Sequence, residues 1–495
     1  MATLCRRRSD PRPEAIKKAT CLASRSSGRQ TGPPTHGETG VACHNRAMLV
    51  PPLRGLRHRA RILICAAAIA LALSGCNLAV PSPTPSPSVG PTASPSPLPF
   101  VASSPGPSPD GAGSATPGAD PTAIYKTIEG QVVAIRGLQP KSQVEPRLLN
   151  DTELKTRVAE AFKRDNPPDV VAANERLLKG LGLFPRDASL ADLYVELLGS
   201  QVAGFYSPDD KQLYVVSKSG AVGPVERVTV AHEYTHALQD QTFNLKALDI
   251  SQVGQGDRGL ARLSLVEGDA VTVQTIWTQQ NLSPAEALQL LGAALDPAAV
   301  KIMEKMPPVL LQTLQFPYTS GLQFVSGMQA TGGWAAVNAA FRDPPASTEQ
   351  ILHPEKYTTH EAAVAIALPA DLAGRMGSGW KLSLQDTLGE FQLGLWLRSA
   401  VDGVTVANAA VAGWGGDRVA LLDGPGDAWA IAVITEWDTL SDATEFADAA
   451  GQVVGRLASP STVVSAPNSK RVTVLIGSDT TVATKLDSVL GATGN

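Results

Sequence analysis

His232, Glu233 and His236 stand in the apolar run Val228-Thr229-Val230-Ala231-His232-Glu233-Tyr234-Thr235-His236-Ala237-Leu238, which has the pattern H-E-x-x-H. On a helix, residues four apart share a face. Two imidazoles can therefore offer nitrogens to one ion while the carboxylate beside them acts as a base. Those are the parts that hydrolysis by a metal-activated water requires: nitrogen donors suited to zinc and a group that accepts a proton. A pair of core histidines would account for His232 and His236 but not for Glu233, since a purely structural site has no use for that neighbouring carboxylate.

The flanking sequence must position these groups. Gly223-Pro224 precedes the run, with proline where a missing N–H costs nothing, and the interior has neither glycine nor proline, so a helix is predicted. Upstream, Gln201 to Tyr206 and Lys211 to Val216 are β-prone runs around Ser207-Pro208-Asp209-Asp210, a sequence suited to a type I turn; a hairpin is expected to lead into the helix. Downstream, Leu263, Val266, Glu267, Ala270, Gln274 and Trp277 share one face of a second helix. Glu267 thus sits among apolar residues, where a carboxylate needs a partner, and a metal is one. Asp240, one turn beyond His236, is a candidate to support that imidazole from behind. Hydrolysis also needs a donor for the developing oxyanion, and Tyr318 and His353 are the candidates.

The rest of the chain supplies context. A 495-residue chain with 43% hydrophobic residues can bury a full core, and a net charge of −4 without a basic patch argues against a nucleic-acid partner. Arg54, Arg57, Arg59 and Arg61 flank the apolar run Ile62 to Leu73, which is too short for a membrane anchor of about 20 residues but has the length of a signal-peptide core. It ends in Leu73-Ser74-Gly75-Cys76, which resembles the lipobox of bacterial lipoproteins; Cys76 is then the lipidated first residue of the mature protein, held at the outer side of the cell membrane. Met48 is an alternative start. Cys5, Cys21, Cys43 and Cys65 precede that point, so the mature chain has no second cysteine to act as ligand, nucleophile or disulfide partner. A Pro/Ser/Thr/Gly tract follows to Pro121, a spacer that cannot bury enough surface to order itself.

These boundaries divide the chain into 1–76 (extension and signal), 77–121 (linker), 122–359 (the helix-rich part that carries the motif) and 360–495. The segment 122–200 reads as mainly helical, with Leu190, Leu193, Tyr194, Leu197 and Leu198 on one face and Ser189 as N-cap. Further helices are expected from Pro284, around Tyr318 to Met328, and from Trp334 to Phe341. After His360 the pattern shifts to α+β. Val364 to Leu368, Val419 to Leu422, Ala428 to Thr435, Thr462 to Val464 and Val472 to Ile476 read as strands of an antiparallel sheet. Leu384 to Ser399, Ser441 to Ala450 and Thr480 to Leu490 read as helices, and Gly413 to Asp417 as a tight turn. The fold class is α+β throughout.

The order of parts from Gln201 to about Thr278 resembles the gluzincins, zinc peptidases with H-E-x-x-H and a distal glutamate. The resemblance rests on the hairpin, on Ala231-His232-Glu233-Tyr234-Thr235-His236-Ala237, and on Val266-Glu267-Gly268-Asp269-Ala270. It implies a zincin-like catalytic domain with one zinc ion on His232, His236 and Glu267, with Glu233 as general base. It also implies that Val202, Ala203, Gly204 and Phe205 form an edge strand pairing with an extended peptide substrate. Glu267 lies 31 positions after His236, a longer interval than usual in that group, and Val271 stands where an aspartate is often found. Gln239, in place of the glycine of metzincins, removes that alternative. Substrate specificity, oligomeric state and the role of the C-terminal part are open at this level, and a non-catalytic lipoprotein with a structural zinc site is the competing reading.

Overall fold

The computed structural model describes residues 120–201, 203–216 and 222–491. The signal and lipidation region with Cys76, nearly all of the proline-rich tract, and Val202 lie outside the described residues. Among the described residues no helix is long and apolar enough to cross a membrane.

Helix α1 (Pro121–Arg136) starts at Asp120, whose carboxylate accepts the Thr122 N–H at 3.0 Å, and ends at Gly137 in the left-handed region, φ 74°. Strand β1 (Pro146–Leu149) follows, then α2 (Asp151–Asp165), α3 (Pro168–Gly180) and α4 (Leu190–Gln201). The stretch expected to be mainly helical therefore also contains a strand. Its four residues bury only Leu149 and exist as a strand because β3 offers a free edge. The expected hairpin is present as β2 (Gly204–Ser207) and β3 (Gln212–Val216). The sheet order is β1-β3-β2, with β1 parallel and β2 antiparallel to β3, so β2 is an edge.

Helix α5 (Pro224–Phe243) carries H-E-x-x-H. Every residue from Val228 to Asp240 is buried, so the helix runs through the interior and shows no solvent stripe. Helix α6 (Gly256–Asn281) carries Glu267 and packs against it; α7 (Pro284–Ala294) and α8 (Pro297–Glu304) follow. Helix α9 (Pro308–Ala340) breaks at Gly333, φ 62° and ψ −170°, into segments 308–332 and 334–340, which is the division expected around Tyr318 and Trp334. Two short helices, α10 (Thr348–Leu352) and α11 (Pro354–Thr358), complete this part.

The C-terminal part comprises α12 (Leu372–Met376), β4 (Lys381–Asp386), α13 (Gly389–Arg398), α14 (Val404–Ala409), β5 (Trp414–Asp423), β6 (Trp429–Trp437), α15 (Leu440–Val454), β7 (Ser461–Ser465), β8 (Arg471–Gly477) and α16 (Thr480–Leu490). The sheet is antiparallel in order β4-β5-β6-β8-β7, and both faces of its central strands are covered. Val419, Leu421, Ile431 and Val433 face one core with α13 and α15; Ala420, Leu422, Ala430 and Ala432 face another with α12 and α16.

Three local expectations are corrected here. The run Leu384 to Ser399 is the end of a strand followed by a helix, because Gly389 at φ 74° separates them. Gly413 to Asp417 is the entry to β5 with a bulge between Trp414 and Gly416, and the Asp417 carboxylate caps α13 by accepting the Leu388 and Gly389 N–H groups. Val364 to Leu368 is not a strand, although the Val364 N–H donates to Gly415 C=O at 2.7 Å.

The two parts share more than a linker. Ala173, Leu177 and Leu181, on or just after α3, belong to the same apolar cluster as Trp396 and Ile431. The first N–H of α6, from Gly256, donates to the Asp386 carboxylate at 2.6 Å, and the Asp257 N–H donates to Thr387 C=O at 3.2 Å. The C-terminal sheet thus fixes where the helix bearing Glu267 begins.

Candidate metal centre

His232 and His236, one turn apart on α5, point toward α6, and Glu267 meets them from there. His232 Nε2 and His236 Nε2 are 3.1 Å apart; Glu267 Oε2 is 3.2 Å from His236 Nε2 and 3.4 Å from His232 Nε2. All three side chains are fully buried. Donors at about 2.0–2.1 Å around a tetrahedral ion lie about 3.3–3.4 Å from one another, so the trio has the spacing of three corners of such a site. The donor chemistry agrees, since two imidazoles and one carboxylate converge on a single buried point. Burial alone would push the Glu267 carboxyl up, but the two histidines more than reverse this and hold it below the usual carboxylate range. Burial pushes the His232 imidazole down, and the Glu267 hydrogen bond with the Glu233 and Glu267 charges outweighs it, so its pKa is raised.

Glu233 lies beside the trio, fully buried. One of its carboxylate oxygens accepts the Tyr206 N–H at 2.8 Å. Burial raises its pKa, against the pull of both histidines. That hydrogen bond comes from the edge of β2 that no strand pairs, although all four residues of β2 are buried. Val216 N–H donates to Ala203 C=O at 2.8 Å, so the alternation of an antiparallel pair turns the Ala203 and Phe205 backbone toward β3 and that of Gly204 and Tyr206 outward. Gly204 has a packing role: a Cβ there would lie 2.5 Å from Thr229 Cγ2 and 2.8 Å from Tyr214 O. Its lack of a side chain lets the edge strand lie close against the motif helix.

Asp240 does not support His236. Its carboxylate receives the Tyr206 hydroxyl at 3.0 Å, the Lys211 ammonium at 2.5 Å and the Leu245 N–H at 3.2 Å, which tie the hairpin to the end of α5. The His236 Nδ1 instead faces Gln239 Oε1 at 2.8 Å, and Gln239 Nε2 donates to Asp269 Oδ2 at 2.9 Å and to Val266 C=O at 3.0 Å. Asp269 is paired with Arg136, both side chains fully buried. Gln239 was legible as the residue three after His236, on the same helical face. Arg136, 133 positions before Asp269, carries no local signal.

The two expected oxyanion donors part company. Tyr318 lies with its ring nearly parallel to that of His232, centroids 6.3 Å apart. His353 Nε2 is instead 2.9 Å from Glu390 Oε1, on α13 of the C-terminal part, a contact that raises its pKa. Tyr318 is brought to the site by a close helix crossing. A Cβ on Gly268 would lie 2.1 Å from Gly321 O, and a Cβ on Gly321 would lie 2.3 Å from Ser264 O, so α6 and α9 touch backbone to backbone. Replacement of Gly321 by Val is therefore expected to destabilise the fold by about 1–3 kcal/mol, the usual range for overpacking. Denaturant titration measures it, and an unchanged midpoint would rule out the close crossing.

A second acidic trio, Glu349, Glu361 and Asp438, has the Lys356 ammonium at its centre, at 2.6, 2.7 and 2.8 Å, and so is satisfied by a side chain.

Compared with known proteins, residues 381–487 match a family described as a domain of unknown function (DUF8575). The match runs from the start of β4 into α16 and does not include α5 or α6. No curated protein and no solved structure matches the chain.

Proposed function

We propose that the chain is a zinc-dependent peptidase of zincin-like type, with one ion held by His232, His236 and Glu267. The observation that carries this reading is the buried trio at 3.1, 3.2 and 3.4 Å, together with the Glu233 carboxylate next to it. Bound there, zinc would supply Lewis acidity, making a water nucleophilic near neutral pH and polarising a peptide carbonyl. Glu233 accepts the proton of the attacking water and delivers it to the leaving amine. The Tyr206 N–H keeps that carboxylate in place. The outward backbone of Gly204, beside Ala203 and Phe205, is the edge along which an extended peptide would pair, and a peptide must uncover it because β2 is buried. Tyr318 is the better placed of the two oxyanion candidates, lying against His232. Cys76, as lipid attachment site, would tether this activity to the outer side of the cell membrane, with peptides or proteins as substrates.

A structural zinc site on a binding lipoprotein is favoured by one observation: Glu233 has a structural use, joining α5 to β2 through Tyr206. Purified protein separates the readings. Stoichiometric zinc with cleavage of a peptide library, abolished by chelation and restored by zinc, supports the peptidase; stoichiometric zinc with no cleavage supports the structural site.

A further inference from the structure

The residues behind His236 fix more than its position. Gln239 Nε2 lies between two groups that can only accept, Val266 C=O at 3.0 Å and the Asp269 carboxylate at 2.9 Å, so this end of the amide must be the NH2. The amide oxygen is thereby turned to His236 Nδ1 at 2.8 Å. That oxygen has no hydrogen to give, so Nδ1 must carry the proton, and Nε2 is the nitrogen left to face His232 and Glu267. Asp269 is itself immobilised. Arg136 Nε donates to its two oxygens at 2.7 and 3.0 Å, and the guanidinium carbon lies 4.6 Å from the Trp334 ring centroid. Both partners of this ion pair are fully buried, where removing one would leave an uncompensated charge.

We propose that Gln239, Asp269 and Arg136 are positioning residues that hold His236 as its Nδ1–H tautomer, with Nε2 turned toward the ion. The inference rests on reading His232, His236 and Glu267 as ligands. It differs from a direct carboxylate–histidine pair, because a neutral amide stands between the imidazole and the carboxylate. Asp269 and Arg136 act on the ring only by fixing which end of that amide it meets. Arg136 closes α1 and Trp334 opens the segment after the Gly333 break, so both elements are coupled to the ligand.

The test is a double-mutant cycle on the full chain, read as zinc affinity by chelator competition and as the visible spectrum of the cobalt-substituted protein. Gln239→Leu is expected to weaken zinc binding by about 10- to 100-fold, the usual cost of losing a partner behind a ligand, and to shift the cobalt bands. Asp269→Asn is expected to weaken binding less, and to add nothing once Gln239 is Leu, because it acts through that amide. Gln239→Met, of similar length and without hydrogen bonds, replaces the leucine variant if that does not fold. Wild-type affinity in the Gln239 variant, or independent additive losses for the two positions, overturns the proposal. Failure of the wild-type chain to bind zinc would instead overturn the ligand reading beneath it.

Discussion

Glu233→Gln is expected to retain zinc and to lose hydrolytic activity by about 10²- to 10⁴-fold, the usual contribution of a positioned acid–base group. The substitution is informative because of what it leaves intact. An amide oxygen can still accept the Tyr206 N–H now held at 2.8 Å, so the tie between α5 and β2 survives. The proposed ligand atoms belong to other residues, so metal content is expected to be unchanged. Only the capacity to take a proton is removed. Zinc content measured beside peptide cleavage separates the outcomes: a zinc-loaded variant without turnover supports the proposed base, whereas a variant as active as the wild-type chain would remove the mechanism.

The site was legible in the sequence to the extent that its geometry is local. His232 and His236 meet because a helix puts residues four apart on one face, and Glu267 stood out as a carboxylate among apolar neighbours. Helical periodicity places Asp240 one turn beyond His236 but does not reveal its partners. The same helical face offers both Gln239 and Asp240 near His236, and the choice is made by Tyr206 and Lys211, which are 34 and 29 positions away and draw the Asp240 carboxylate toward the hairpin. Arg136 and Gly321 are tertiary in the same sense. An arginine closing one helix and a glycine inside another acquire meaning only once α1, α6 and α9 are packed. In the C-terminal part, strands whose both faces are buried gave clear apolar runs, as in β5, β6 and β8. β4 is hidden in the sequence because its alternation runs straight into the apolar helix α13, with the break carried by a single glycine, Gly389. The hydrogen bonds from the start of α6 to Asp386 and Thr387 show why the C-terminal part is more than an appended module. Residues within the DUF8575 match set the start of the helix that carries Glu267, 11 positions before that carboxylate.

Glu267→Gln is expected to strip the metal, weakening zinc binding by more than the roughly 10- to 100-fold that loss of a supporting partner costs. Glu267 Oε2 lies within 3.4 Å of both imidazole nitrogens, and its charge offsets that of a cation at a buried point. A glutamine would bring a weaker, neutral oxygen donor, and a divalent ion would lose the only anionic ligand in the trio. Asp269 is the rival to be measured alongside it, since the two carboxylates are two residues apart. Helix α6 runs unbroken through Gly268, so they leave it on different sides: Glu267 toward His232 and His236, Asp269 toward Gln239 and Arg136. Asp269→Asn is therefore expected to keep the metal with a smaller loss of affinity, and to show its larger effect in thermal stability, because it leaves the Arg136 cation buried without its counter-charge. Zinc affinity and unfolding temperature, measured on both variants, distinguish a ligand from a support. Loss of the metal in Asp269→Asn and its retention in Glu267→Gln would place the third ligand at the aspartate and reverse the assignment.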